Sequence, residues 1–168
     1  MFIVNGVSGA SLHCINSGAA TDVGCGSGAL SIRAALTWRE TKVIGIDYWA
    51  AVYNYSQALC EKNAVSEGVG PQCVFQHGDA NKLDFPDGSF DAMVSNYVYH
   101  NITGADKQEL LMETLRVLRK GGVFALNDDM KPRMYGDMEA FAQKLRDMMR
   151  YVLLTLRKRH LAHTAGRA

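Results

Sequence analysis

The run Thr21-Asp22-Val23-Gly24-Cys25-Gly26-Ser27-Gly28 leads directly into Ala29-Leu30-Ser31-Ile32-Arg33-Ala34-Ala35-Leu36. An acid stands near the end of a short segment, glycines at alternate positions let the backbone turn without Cβ clashes, and apolar residues then recur at helical spacing. The pattern predicts a strand over Ala19 to Val23, a tight turn, and a helix whose first amides point above that turn. A ligand can approach the main chain closely there.

The turn alone leaves the ligand open, because Gly24-x-Gly26-x-x-Ala29 also fits the dinucleotide fingerprint. Downstream residues narrow the choice. Lys42 to Asp47 reads as a buried strand whose terminal acid lies 19 residues beyond Gly28. A carboxylate at such a strand tip can accept both hydroxyl hydrogens of a ribose, although Asp is also a favoured helix N-cap. Tyr48 to Ser66 is predicted to be a helix, with Val52, Tyr55, Ala58 and Leu59 on its apolar side. Gln72 to His77 reads as the third strand, and Gly78-Asp79-Ala80 follows it. Asp79 can serve a ligand or form an Asx turn with its own backbone. Ala92 to Asn96 is the fourth strand, followed by Tyr97, Tyr99 and His100. Ala105 to Leu118 is an amphipathic helix stopped by Lys120-Gly121-Gly122, Val123 to Asp128 is the fifth strand, and Tyr135 to Met149 is a further helix.

Taken together, D-x-G-x-G-x-G at 22–28, the acids Asp47 and Asp79, L-x-F-x-D-x-S-F-D at 83–91 and L-x-E-x-L-R-V-L-x-x-G-G-x-F at 111–124 resemble the class I S-adenosylmethionine-dependent methyltransferases. The resemblance is to the small-molecule, ubiquinone-biosynthesis-like branch (methyltransferase type 11) and covers residues 19 to 148. It implies an α/β chain with a three-layer Rossmann-like fold around a mostly parallel central sheet. It also implies that Asp22, Gly24, Cys25, Gly26 and Gly28 form the turn beneath the methionine portion of S-adenosylmethionine, and that Asp47 takes the ribose. Tyr48 would flank the adenine, while Asp79 and the Ala80 amide would meet its edge. Asn96 would stand at the crevice. Tyr97 and His100 are the catalytic candidates nearest the methyl donor, His100 either as a general base or as a structural hydrogen bonder. The function implied is methyl transfer to a small-molecule acceptor. The alternatives are a noncatalytic or truncated cofactor-binding module and, less favoured because Asp79 has no role in it, a nicotinamide-dependent oxidoreductase.

The 168 residues suit one domain, 1–168, with a core at 19–148, a Gly-, Ser- and Asn-rich segment at 1–18 and a basic tail at 149–168. With 18 Lys and Arg against 17 Asp and Glu, no charge excess points to nucleic acid or an anionic membrane, and a small-molecule partner fits better. Cys14, Cys25, Cys60 and Cys73 form no C-x-x-C pair and read as reduced thiols of a cytoplasmic protein. Met1 to Ala20 has no basic leader and no sustained apolar run, so neither a signal peptide nor a membrane span is expected. His160-x-x-His163 has no partner ligands, and no metal is expected. The family's last two strands are expected to be missing, with Tyr151 to Leu156 as one candidate strand. The fifth strand would then be an exposed edge, open to the tail or to a second copy in a homo-oligomer.

Overall fold

The computed structural model describes residues 2–3, 18–51, 54–148 and 154–155. Seven strands form one sheet: β1 (Phe2–Ile3), β2 (Gly18–Val23), β3 (Thr41–Asp47), β4 (Cys73–His77), β5 (Phe90–Asn96), β6 (Leu118–Asn127) and β7 (Leu154–Thr155). Their order is β4-β3-β2-β5-β6-β1-β7, and the pairings between these strands are all parallel. The helices are α1 (Ala29–Thr37), α2 (Gln57–Ser66), α3 (Lys107–Val117), α4 (Pro132–Tyr135) and α5 (Met138–Met148).

Alternation along the central strands generates three layers. In β5, Met93 joins the core that holds Leu110, Leu111, Leu115, Phe141 and Leu145 of α3 and α5. Its neighbours Ala92 and Val94 face the opposite core, with Ile32 and Ala35 of α1 and Cys60 and Ala64 of α2. In β6, Phe124 and Leu126 take the first face and Ala125 the second. The sheet is therefore covered on both sides, as a parallel sheet requires. Successive strands run outward from β2 in one direction and from β5 in the other, so a crevice opens between their carboxyl ends.

Small residues in β2 have a packing reason. The Asp91 carboxylate accepts from the Ala19 amide at 2.9 Å. A Cβ on Gly18 would lie 2.1 Å from Asp91 Oδ2. Asp91 also pairs with Arg119, so the start of β5 anchors both neighbouring strands.

Three expected boundaries are corrected. The second helix does not begin at Tyr48: Trp49 and Asn54 have φ of 44° and 52°, left-handed values that interrupt any helix. It starts after Ser56, whose hydroxyl accepts from the Leu59 amide at 3.2 Å. The third helix is capped by Asp106, which accepts from the amides of Gln108 and Glu109 at 2.8 and 3.0 Å. It ends at Val117, and the expected stop Lys120-Gly121-Gly122 lies inside β6. Pairing jumps there from Phe90↔Leu118 to Ala92↔Val123, so the extra β6 residues bulge out around Gly121 at φ 79°. The helix expected from Tyr135 is split into α4 and α5 by Gly136 at φ 65°.

The sheet does not stop at the fifth long strand. Phe2 pairs with Phe124 on β6, and β7 pairs with β1 through Phe2↔Leu154 and Ile3↔Thr155. The strand candidate near 151–156 is thus realised over two residues, parallel to its neighbour. The tail from 156 onward, including His160 and His163, lies outside the described residues, as does 4–17. No helix among the described residues is long and apolar enough to cross a membrane.

Candidate active site

The turn after β2 is fastened by backbone bonds and by side chains from two elements. Gly24 and Cys25 donate to the Ile46 carbonyl at 2.8 and 3.0 Å, and Gly28 donates to the Cys25 carbonyl at 2.8 Å. The Gly26 carbonyl receives the Trp49 indole N–H at 2.9 Å and the Cys60 thiol at 3.1 Å. The Ser27 carbonyl receives the Asn63 side-chain amide at 3.0 Å. The loop after β3 and helix α2 thus hold the turn, leaving its upper side to the crevice.

Each glycine has a separate reason. Gly24 sits at φ 75°, and a Cβ there would fall 2.2 Å from the Val98 methyl Cγ2, so it is required by packing. Gly28, at φ 80°, lies against Phe75 and Cys60 and does not line the cavity. Gly26, at φ 56°, does line it, and its nearest obstacle would be the Tyr55 ring at 3.6 Å.

Asp47 and Trp49 form one unit with the turn. Asp47 Oδ2 accepts from the Gly26 amide at 2.8 Å, and Oδ1 accepts from the Trp49 amide at 2.7 Å. Asp47 therefore does not cap a helix. Both oxygens are oriented by fixed donors and each keeps a lone pair for a further partner. Asp79 makes the Asx turn: its Oδ1 accepts from the backbone and side-chain amides of Asn81 at 2.8 and 2.7 Å. Oδ2 carries no hydrogen bond among the described residues, so the turn and a ligand are compatible.

Asp22 is 1 % exposed and accepts from the Ser31 hydroxyl at 2.7 Å. Burial pushes its pKa up to about 7, opposed by the bonds from Ser31, and the negative charge of Asp47 adds to the rise. Burial likewise pushes the Cys25 thiol far above its ordinary range, so Cys25 is a neutral wall residue and not a thiolate.

These elements enclose a cavity of about 740 Å³ at the carboxyl ends of β2, β3, β4 and β5. Of the residues singled out from the sequence, Asp22, Gly24, Cys25, Gly26, Asp47, Tyr48, Asp79, Ala80, Asn96 and Tyr97 all line it. Asn96 accepts from the Asn127 side chain at 2.7 Å. Tyr97 has φ 57° and its ring stands edge-on to His100, centroids 5.9 Å apart. His100 itself is not among the cavity-lining residues. Its ring nitrogen Nδ1 meets Asp128 Oδ1 at 2.5 Å, behind Tyr97.

Sequence reading did not find the wall formed by Val98, Asn101, Ile102 and Thr103, nor Tyr55 over the turn. No periodic signal marks a loop wall. Nor did it find Cys60 and Asn63, because a residue that supports a carbonyl from a neighbouring helix carries no local motif. Among the described residues, no three His, Cys, Asp or Glu side chains cluster as a metal site would require.

Residues 21–126 match the family described as "Methyltransferase domain". The chain is 31% identical over 127 residues to the 27-O-demethylrifamycin SV methyltransferase of Amycolatopsis mediterranei, covering 76% of this chain and 44% of that protein. It is 35% identical over 112 residues to the fatty-acid O-methyltransferase of Mycolicibacterium smegmatis, covering 67% of this chain and 37% of that one. Among solved structures, the [4+2]-cyclase SpnF superposes with a TM-score of 0.58 at 27% identity, covering 67% of this chain and 39% of that chain. The chain thus spans less than half the length of each of these proteins. The family match begins at the glycine turn and runs to the end of β6, through every long strand of the sheet except the first residues of β2, and on that ground the chain belongs to the methyltransferase-domain family.

Proposed function

We propose that the chain binds S-adenosylmethionine and transfers its methyl group to a small-molecule acceptor. One observation carries the reading: Gly26, Asp47 and Asp79 line a single cavity, with Asp47 fixed by the Gly26 amide of the turn and by the Trp49 amide, and Asp79 keeping one oxygen free. The residues fit the cofactor. Asp47 would hold the ribose hydroxyls, Asp79 and the Ala80 amide the adenine edge, Tyr48 its face, and Asp22, Gly24, Cys25 and Gly26 the methionine end. Gly28 contributes by packing the turn on Phe75.

When bound, S-adenosylmethionine supplies a methyl group already activated by the sulfonium charge. The protein's share is to bind, align and exclude water, which can supply much of a rate enhancement without a strong base. Asn96 and Tyr97 stand at the cavity end of β5. Tyr97 is the proton-bearing side chain we assign to the acceptor side, and His100 supports it from behind. SpnF, with the same fold, is a [4+2]-cyclase, which keeps a binding module without methyl transfer as the second reading. The nicotinamide alternative gives Asp79 no role.

The reading further takes 1–168 as one domain with its core at 19–148, working in the reducing cytoplasm, where Cys25, Cys60 and Cys73 stay free. A second copy laid along the sheet edge at β7 would extend it. Nucleic acid and membrane are not among the partners we propose.

Calorimetric titration with S-adenosylmethionine tests the reading. Saturable binding by the wild type, lost in Asp47→Ala with the cooperative melt retained, is expected. A cooperatively folded wild type that binds none overturns it. Methyl transfer to any acceptor then separates the enzyme from the binding module.

A further inference from the structure

The side chains around the cavity divide by charge. Its acidic side chains, Asp22, Asp47 and Asp79, stand at the ends of β2, β3 and β4. The wall after β5 consists of Asn96, Tyr97, Val98, Asn101, Ile102 and Thr103, without a charged residue. No Lys, Arg or His is among the described residues lining the cavity. Lys107 comes near, but its ammonium donates to the Ile102 carbonyl and the residue is only 5 % exposed.

Three tyrosines are exposed at this cavity although large apolar rings are normally covered: Tyr48 at 64 %, Tyr55 at 46 % and Tyr97 at 49 %. Tyr97 is held there at positive φ, a backbone conformation with a cost that a purely structural tyrosine would have no reason to bear. The Asn96 carbonyl is engaged by Asn127, and the Asn101 amide donates to the Tyr97 carbonyl at 3.2 Å. The wall thus offers ring and methyl surface, with one atom of each amide, Asn96 Oδ1 and Asn101 Nδ2, already engaged.

From this arrangement we infer that the acceptor is an apolar, ring-bearing molecule without an anionic group. The inference rests on the proposed methyltransferase reading and narrows its substrate class. A carboxylate or phosphate against the wall after β5 would leave water and meet no Lys, Arg or His side chain among the described residues. An uncharged ring exchanges water for tyrosine surface and incurs none of that cost.

The test uses 2-naphthol, uncharged at about pH 7, and 2-naphthoate, anionic there. Each is titrated calorimetrically into protein mixed with saturating S-adenosylhomocysteine, whose own binding is measured first. Absence of S-adenosylhomocysteine binding counts against the cofactor reading alone, and the naphthyl pair is titrated regardless. The expected result is that 2-naphthol binds at least about tenfold more tightly than 2-naphthoate, and that Asn101→Lys removes most of that difference by tightening 2-naphthoate. Equal or tighter binding of 2-naphthoate to the wild type overturns the inference. So does binding of neither compound, or a preference that Asn101→Lys and Tyr97→Ala both leave unmoved.

Discussion

Asp128 and His100 meet at 2.5 Å, Oδ1 to Nδ1, with the Asp128 side chain fully buried. The same carboxylate accepts from the amide of Tyr99 at 2.8 Å and from that of Asp129 at 2.6 Å. It therefore fixes the short turn between β5 and α3 as well as the imidazole. Asp128→Ala leaves those donors without their acceptor and is expected to cost about 2–4 kcal/mol, read from urea unfolding. His100→Gln should cost about 1 kcal/mol and leave cofactor affinity within about twofold, since the imidazole lies outside the cavity. A His100→Gln protein of normal stability that had lost cofactor binding would contradict this placement.

Asp22 sets a pH dependence of stability. Its pKa rises on folding from 3.8 to about 7 because burial disfavours the charge. Between those values the folded state holds a proton that the unfolded state has released, so stability falls as pH rises and levels off above about 7. The loss is of the order of a few kcal/mol. Asp22→Asn keeps the shape and the acceptor oxygen for Ser31, and should flatten the decline in melting temperature measured between pH 5 and pH 8. An unchanged slope in the variant would assign the decline to other groups.

Gly24 and Gly26 should respond differently to the same substitution. Gly24→Ala drives a methyl group onto Val98 and is expected to destabilise by about 2–4 kcal/mol, partly restored in Gly24→Ala/Val98→Ala. Gly26→Ala meets only ordinary contact with the Tyr55 ring at 3.6 Å and should cost about 1 kcal/mol from its left-handed backbone, with the larger effect on calorimetric cofactor affinity. Equal stability losses for the two would refute the distinction.

Arg116 ties the 83–91 loop to α3. Its guanidinium donates to the carbonyls of Leu83 and Phe85 at 2.8 and 2.9 Å and pairs with Asp87 and Glu113. Arg116→Lys cannot reproduce this fork, and should cost about 1–2 kcal/mol while speeding amide exchange at Leu83. Leu83 donates to Glu113, whose carboxyl Arg116 holds below its usual range, so its exchange reports the whole contact.

The parts legible in the sequence were those with local chemistry. Strands such as Thr41–Asp47 announce themselves by buried apolar runs, and the turn at 24–28 by its glycines. What escaped depended on partners distant in sequence. The residues after Asp47 have helical apolar spacing, but Trp49 must turn to reach Gly26, and that tertiary bond overrides the periodicity. Gly121-Gly122 read as the stop of a helix, because glycine marks a bulge and a helix stop alike. The cavity's acids were readable from their positions at strand ends. The neutral wall opposite was not, since Val98 and Thr103 are defined only by the space they bound.

The bond from Trp49 to the Gly26 carbonyl gives the protein an internal optical reporter. Only one other tryptophan, Trp38, exists in the chain, and it packs in the core beside α1, away from the cavity. Light absorbed by Trp49 is re-emitted at a colour that depends on what surrounds its indole, and here that surrounding is the glycine turn itself. Any rearrangement of the turn must therefore alter the emission of this ring.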